Sequence, residues 1–222
     1  MLLWIRGAFS PQEIHDRLLD SNSTFNKNLV SYLESTFSGD FITGNKIEVE
    51  VLSETIAALE GSELPTHSIP VAVPAACKLH CHNCRFCKAN EHWWIRYQQH
   101  TDYILYKSNL HDHELGLSRN DKGKGLLGYC GKNKYGTCKA QFPRPCFTST
   151  TVDPKSGHIN FKKLEPDMNT VSHVLTYLLR CNTDVTCLLS GTAIKFVIAY
   201  ITDYVSKNPL KTYMVFDTIK SV

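Results

Sequence analysis

The chain has 222 residues, a net charge of +3, and apolar and charged fractions of 42% and 20%. That is enough to bury one good core or two small ones, and it argues against wholesale disorder. No apolar run approaches the ~18 residues of a membrane span. The G-x-x-x-x-G-K loop of an ATPase and the G-x-S-x-G nucleophile elbow are also missing from the sequence.

Met1-Leu-Leu-Trp-Ile5 is too short for a signal-peptide core and reads as a buried strand. Ser10-Pro-Gln-Glu13 places a capping serine, a proline at the first helical position and a glutamate three after the cap, predicting a helix through about Leu19. A second helix is expected over Asn26 to Thr36, with Leu29, Val30, Leu33 and Phe37 on its apolar side. From Glu34 to Leu64 there are seven acidic residues and one lysine. This acidic segment ends in Pro65, Pro70 and Pro74 and reads as a linker.

Cys77-x3-Cys81-x2-Cys84-x2-Cys87 puts four thiols within eleven residues, with His80 and His82 among them. Zinc needs four soft or borderline ligands at tetrahedral corners, and C-x2-C turns supply two from one short loop. Six residues compete for four places, with Cys84 and Cys87 the firmest pair; the plainer reading is a group of free buried cysteines. A looser set, His111-x-His113 with Cys130 and Cys138, is either a second zinc site or a pair of solvated loop histidines. Both sites would be structural, with every position filled by protein. Nine cysteines gathered around histidines fit metal in a reducing, intracellular setting better than a secreted disulfide framework. Cys146, Cys181 and Cys187 lie in apolar surroundings and read as small core residues.

The helical pattern Trp93, Trp94, Tyr97, Ile104, Leu105 interrupts this ligand-rich region. From Arg119 to Pro145 there are seven basic residues and one aspartate. Lys132, Lys134, Lys139 and Arg144 alternate there with Tyr135 and Phe142. Cations for phosphates and aromatic faces for bases make a single-strand-binding surface, against the alternative of a solvated loop.

Asp153-Pro-Lys-Ser-Gly157 is a turn between two extended pieces, predicting a hairpin within Thr150 to Lys163. Val171 to Leu179 reads as helix and Asp184 to Leu189 as strand; Ser190 can cap a final helix. In that helix Ile194, Val197, Ile198, Ile201 and Val205 form an apolar stripe. Tyr200 and Tyr204 stack beside it and Lys207 follows one turn on, before Asn208-Pro209 ends the helix. Two tyrosines so placed are either two nucleophiles or packing.

Gly136-Thr-Cys-Lys-Ala-Gln-Phe-Pro-Arg144, Leu178-Leu-Arg-Cys-Asn-Thr-Asp184, Leu189-Ser-Gly191 and Tyr200-Ile-Thr-Asp-Tyr204-Val-Ser-Lys207 resemble the replication-initiator-like region of Helitron transposon proteins, most closely the fungal ones. The resemblance implies an HUH-class nuclease, in which a histidine pair holds magnesium or manganese on a phosphate of single-stranded DNA. A tyrosine attacks that phosphate, and a helicase domain belongs to the full-length protein. A phenol with a pKa near ~10 is a poor nucleophile at neutral pH and needs the metal and a positioned phosphate. By this resemblance Tyr200 and Tyr204 are nucleophiles and Lys207 a phosphate-neighbouring cation. His111, Cys130 and Cys138 align with the family's histidine–cysteine motif, with His113 where a cysteine is common. Many members have lysine where this chain has Asp203.

The implied fold is α+β: a partial HUH antiparallel sheet with packed helices (1–66 and 148–222) around a basic, zinc-binding insert (67–147). The histidine pair of the nuclease is not in the sequence, since His80-Cys-His82 and His111-Asp-His113 fall in zinc-type clusters. In the family it lies just before a segment like Met1 to Ile5. The expectation is therefore a Helitron-type fragment, inactive alone, acting on single-stranded DNA in the nucleus. The alternatives are a non-catalytic zinc-stabilised DNA-binding module and a decayed transposon reading frame.

Overall fold

The computed structural model describes Gly7, 9–20, 23–78, Cys81, 83–111, 137–138, 140–153, Lys155 and 159–185. The chain divides into two compact units. One comprises Met1–Asn26, Val152–His158 and Cys187–Val222; the other comprises Lys27–Thr151 and Ile159–Thr186. Met1 to Ile5 and the tyrosine helix lie outside the described residues.

In the first unit, α1 (Pro11–Leu19) begins on the expected capping box: Ser10 Oγ accepts from the Glu13 N–H, and Glu13 reaches back to the Ser10 N–H at 2.7 Å. These hydrogen bonds hold the Glu13 carboxyl below its ordinary range. Leu18 is buried, and its carbonyl accepts from Asn26 Nδ2 at 2.8 Å. Phe9 and Phe25 meet edge to face, with the Arg17 guanidinium 3.9 Å from the Phe9 centroid.

Helix α2 (Thr24–Thr36) starts two residues before the expected Asn26. The signal was Ser23, whose Oγ accepts from the Asn26 N–H and so caps the first turn. Leu33 is its buried residue.

The acidic segment is not a linker. Lys46–Glu60 forms α3, opened by a second capping box in which Asn45 accepts from the Ile47 and Glu48 N–H groups. Val49, Ser53 and Ile56 recur at helical spacing and are buried, while Glu50 and Glu54 stay exposed. The charges belong to the solvated face of an amphipathic helix. Pro65, at the end of the short 3-10 turn Gly61–Glu63, is fully buried.

Helix α4 (Arg85–Ser108) is the spine of the second unit and packs against both α3 and α5 (His173–Leu179). Its last three turns bury Tyr97, Thr101, Tyr103, Ile104 and Leu105. Leu105 joins Phe41, Val49, Met168 and Val171 in the core cluster. Asp102 is also fully buried there: its carboxylate accepts from the Ile42 N–H at 2.8 Å and from the Thr43 N–H and hydroxyl at 2.7 and 2.6 Å. Burial pushes this carboxyl upward, and the Ile42 and Thr43 hydrogen bonds oppose the shift.

The expected hairpin is present as β1 (Thr151–Val152) and β2 (Ile159–Asn160), a two-stranded antiparallel sheet. An antiparallel bridge between Phe147 and Lys163 extends the pairing within the second unit. Gly39 lies so close to Lys163 that a Cβ there would meet its Cγ at 2.6 Å. The expected helix from Val171 begins at His173, because Val171 pairs with Ser38 in a bridge instead. Asp184 and Val185, the described part of an expected strand, form none; the Val185 N–H donates to Thr170. The described residues thus form helices with a small two-stranded antiparallel sheet. Among the described residues no helix is long and apolar enough to cross a membrane.

Candidate metal centre

Cys77, Cys81, Cys84 and Cys87 converge, with all four sulfurs within 4.8 Å of one another. Sγ of Cys77 lies 3.8 Å from that of Cys81 and 3.5 Å from that of Cys84, and Cys84 and Cys87 are 3.8 Å apart. A tetrahedron with Zn–S bonds of about 2.3 Å has edges of about 3.8 Å. The cluster therefore fits a metal such as zinc, and these four thiols would hold it. Of the six ligand candidates the four cysteines are brought together; His80 and His82 lie outside the described residues. None of the seven described cysteines forms a disulfide.

Local structure explains the convergence. Cys84 occupies the N-cap of α4 and Cys87 the third helical position, so both sulfurs sit where the helix offers unpaired N–H groups and the positive end of its dipole. Cys84 makes no side-chain cap of its own. The Cys81 thiol is lowered by hydrogen bonds from the backbone N–H groups of Asn83 and Cys84. Cys87 goes the other way, pushed up to about 12 by burial and by the neighbouring thiols. Four thiols at this spacing cannot all ionise unless a cation joins them.

The second predicted set is partly visible. Cys138 Sγ lies 3.4 Å from His111 Nε2, close to the ~3.6 Å edge expected for one sulfur and one nitrogen on a shared zinc. Their partners His113 and Cys130 fall outside the described residues. The His111 ring stacks on Phe142 at 4.3 Å, and the Arg144 guanidinium lies 4.7 Å from the same phenyl centroid. Phe142 is half-buried and Arg144 exposed; Lys132, Lys134, Tyr135 and Lys139 lie outside the described residues. Tyr200, Tyr204 and Lys207 do as well. Cys146 and Cys181, expected in the core, are exposed instead, as are Leu178 and Leu179 just before Cys181; Cys187 lies outside the described residues.

A cleft of about 250 Å³ adjoins the four-cysteine cluster in the chain. Val71 and Pro74, which lead into Cys77, form one side; Ala89, His92, Trp93 and Arg96 of α4 form the other, with His100 and Tyr177 completing it. Three side chains tie these walls together. Trp93 Nε1 and the Tyr177 hydroxyl both donate to the Val71 carbonyl, at 2.9 and 3.1 Å, and Asn90 Nδ2 donates to that of Ala75 at 3.0 Å. At one end Glu60 Oε1 binds both Arg96 Nη2 (3.1 Å) and His100 Nε2 (2.9 Å). Trp93 and Tyr97, expected as part of a helical pattern, lie in α4, and Trp93 also lines this cleft. The available signal was the run Ala89, His92, Trp93, Arg96, His100, which keeps one helix face.

Comparison of the chain with protein-family models, with curated proteins and with solved structures finds no match.

Proposed function

We propose that this chain is a zinc-stabilised, single-stranded-DNA-binding part of a Helitron-type rolling-circle transposase. The observation that carries the structural half of this reading is the tetrahedral spacing of Cys77, Cys81, Cys84 and Cys87. A closed four-thiol site leaves no position for a substrate and serves the fold. The DNA-binding half rests on the basic, aromatic composition of 119–145 and on the sequence likeness around Tyr200 and Tyr204. In this reading the tyrosines are the family's nucleophiles. These 222 residues hold no histidine pair for magnesium or manganese outside the zinc-type clusters, so by themselves they bind DNA without cutting it.

Two measurements test the halves separately. Metal analysis of the purified chain should find zinc, with one equivalent lost on Cys84→Ser with Cys87→Ser. Incubation with single-stranded DNA and magnesium or manganese should give binding without a covalent adduct. A metal-dependent nick that disappears on Tyr200→Phe with Tyr204→Phe would overturn the non-cleaving reading and restore the chain to the active nucleases.

A further inference from the structure

Helix α4 carries a row of basic side chains along the edge of the cleft. Arg85, Lys88, His92 and Arg96 are all exposed, and spacings of three, four and four residues align them on one side of the helix. Ala89, Trp93 and His100 follow on the adjoining strip of the same face. Cations and cleft therefore form one surface, roughly 16 Å long at about 1.5 Å per residue. Glu91 lies to the side of the row, while Glu60 pairs with Arg96 at 3.1 Å and offsets its charge, which leaves Arg85 and Lys88 to carry the positive charge of the row.

The two halves of this surface ask for different chemistry. The cleft lining is mainly apolar and aromatic, with Val71, Pro74, Trp93 and Tyr177. Its volume of about 250 Å³ falls just below the ~300–1,000 Å³ of pockets for drug-sized molecules, which suits a single ring system. The row outside it is cationic. An aliphatic ligand would leave the cations unused, and a simple anion would leave the aromatic lining unused. A planar heterocycle joined to phosphates satisfies both.

The geometry points to α4 as a groove for single-stranded DNA, in which Arg85, Lys88 and His92 hold phosphates and one unstacked base enters the cleft against Trp93 and Tyr177. This rests on the proposed DNA-binding function and gives it a site apart from the basic stretch 119–145. It also gives the metal a second consequence. Cys77 ends the segment that forms one wall, while Cys84 and Cys87 begin the helix that forms the other, so a metal on these thiols fixes the cleft width.

The test uses the zinc-loaded full chain and a labelled oligothymidylate, with affinity read by fluorescence anisotropy across salt concentrations. Lys88→Gln with His92→Gln changes only exposed side chains. It should weaken binding about tenfold and flatten the log–log salt dependence by at least about 0.7, the loss of one single-strand phosphate contact. An oligothymidylate carrying 5-iodouracil should photo-crosslink to Trp93 or Tyr177, and an abasic sugar–phosphate strand should bind at least about fivefold more weakly. If the wild type binds but the double variant matches it and crosslinks map only to other residues, the groove is wrong and the DNA-binding function stands. If the wild type does not bind oligothymidylate, the broader function falls and the groove with it.

Discussion

The indole nitrogen of Trp93 donates to the carbonyl of Val71 across 2.9 Å, six residues ahead of the first thiol of the metal cluster. Through this bond and that of Asn90 to Ala75, the loop 71–77 depends on α4 at one end and on the four thiols at the other. Removing the metal should release the loop while leaving the core of Val49, Leu105 and Met168 in place. Chelation is therefore expected to speed amide exchange from 71 to 90 selectively and to leave helix content largely intact. Unchanged exchange in that segment would mean that the thiols hold the loop without metal.

Metal uptake should depend steeply on pH. The Cys87 thiol is pushed up to about 12 by burial and by its neighbours, so the metal-free cluster keeps that proton at neutral pH. Zinc takes thiolates, so binding must expel protons, and affinity rises with pH and falls in acid. Zinc added to the metal-free chain in weak buffer should release several protons per ion. Zinc uptake without proton release, and with equal affinity at about pH 5.5 and 7.5, would show that the four thiols are not the ligands.

The first helix and the hairpin were legible because their signals are local. Ser10 with Glu13 and the turn Asp153 to Gly157 specify backbone geometry within a few residues. The convergence of the four thiols was legible for the same reason, since C-x2-C spacing is itself a loop geometry. Helix α3 was hidden by its charges: Glu48, Glu50 and Glu54 mask an apolar strip of only Val49, Ser53 and Ile56, one of them polar. Only the α4 side of the cleft carried a sequence signal; its closure could not be read, because Tyr177 reaches the Val71 carbonyl from 106 residues away in the chain. Asp102 is the clearest case of tertiary override, a carboxylate at the centre of an apolar helix face whose partners lie about sixty residues earlier.

Acid should destabilise the second unit through His100. Burial lowers the basicity of this imidazole, and the Glu60 carboxylate only partly restores it. The folded state therefore binds a proton less readily than the unfolded one. This contribution is fully present above the unfolded value of about 6.5 and is lost as pH falls toward the lower folded value. Urea midpoints of the wild type should drop between about pH 7 and 5.5. His100→Gln, which cannot take up the proton, should be less stable at neutral pH and show a flatter decline. A variant that declines as steeply as the wild type would place the acid sensitivity elsewhere.

Asp102 should be the most sensitive polar position in the core. Its carboxylate takes the Ile42 N–H, the Thr43 N–H and the Thr43 hydroxyl, and its side chain has no solvent exposure. Asp102→Ala would take the acceptor from the N–H groups of half-buried Ile42 and exposed Thr43; with one partly desolvated N–H at about 1–3 kcal/mol setting the scale, a loss of about 2 kcal/mol is expected. Asp102→Asn keeps the shape and one acceptor oxygen. It also removes a charge whose burial is itself unfavourable, so it should cost less than half as much. Urea denaturation of the zinc-loaded variants separates the two. Equal losses would show that the charge, through His173 or the helix, matters more than the hydrogen bonds. A loss below about 1 kcal/mol for Asp102→Ala would show that the 42–43 backbone finds water or moves, and that this loop is not anchored to α4 as the geometry implies.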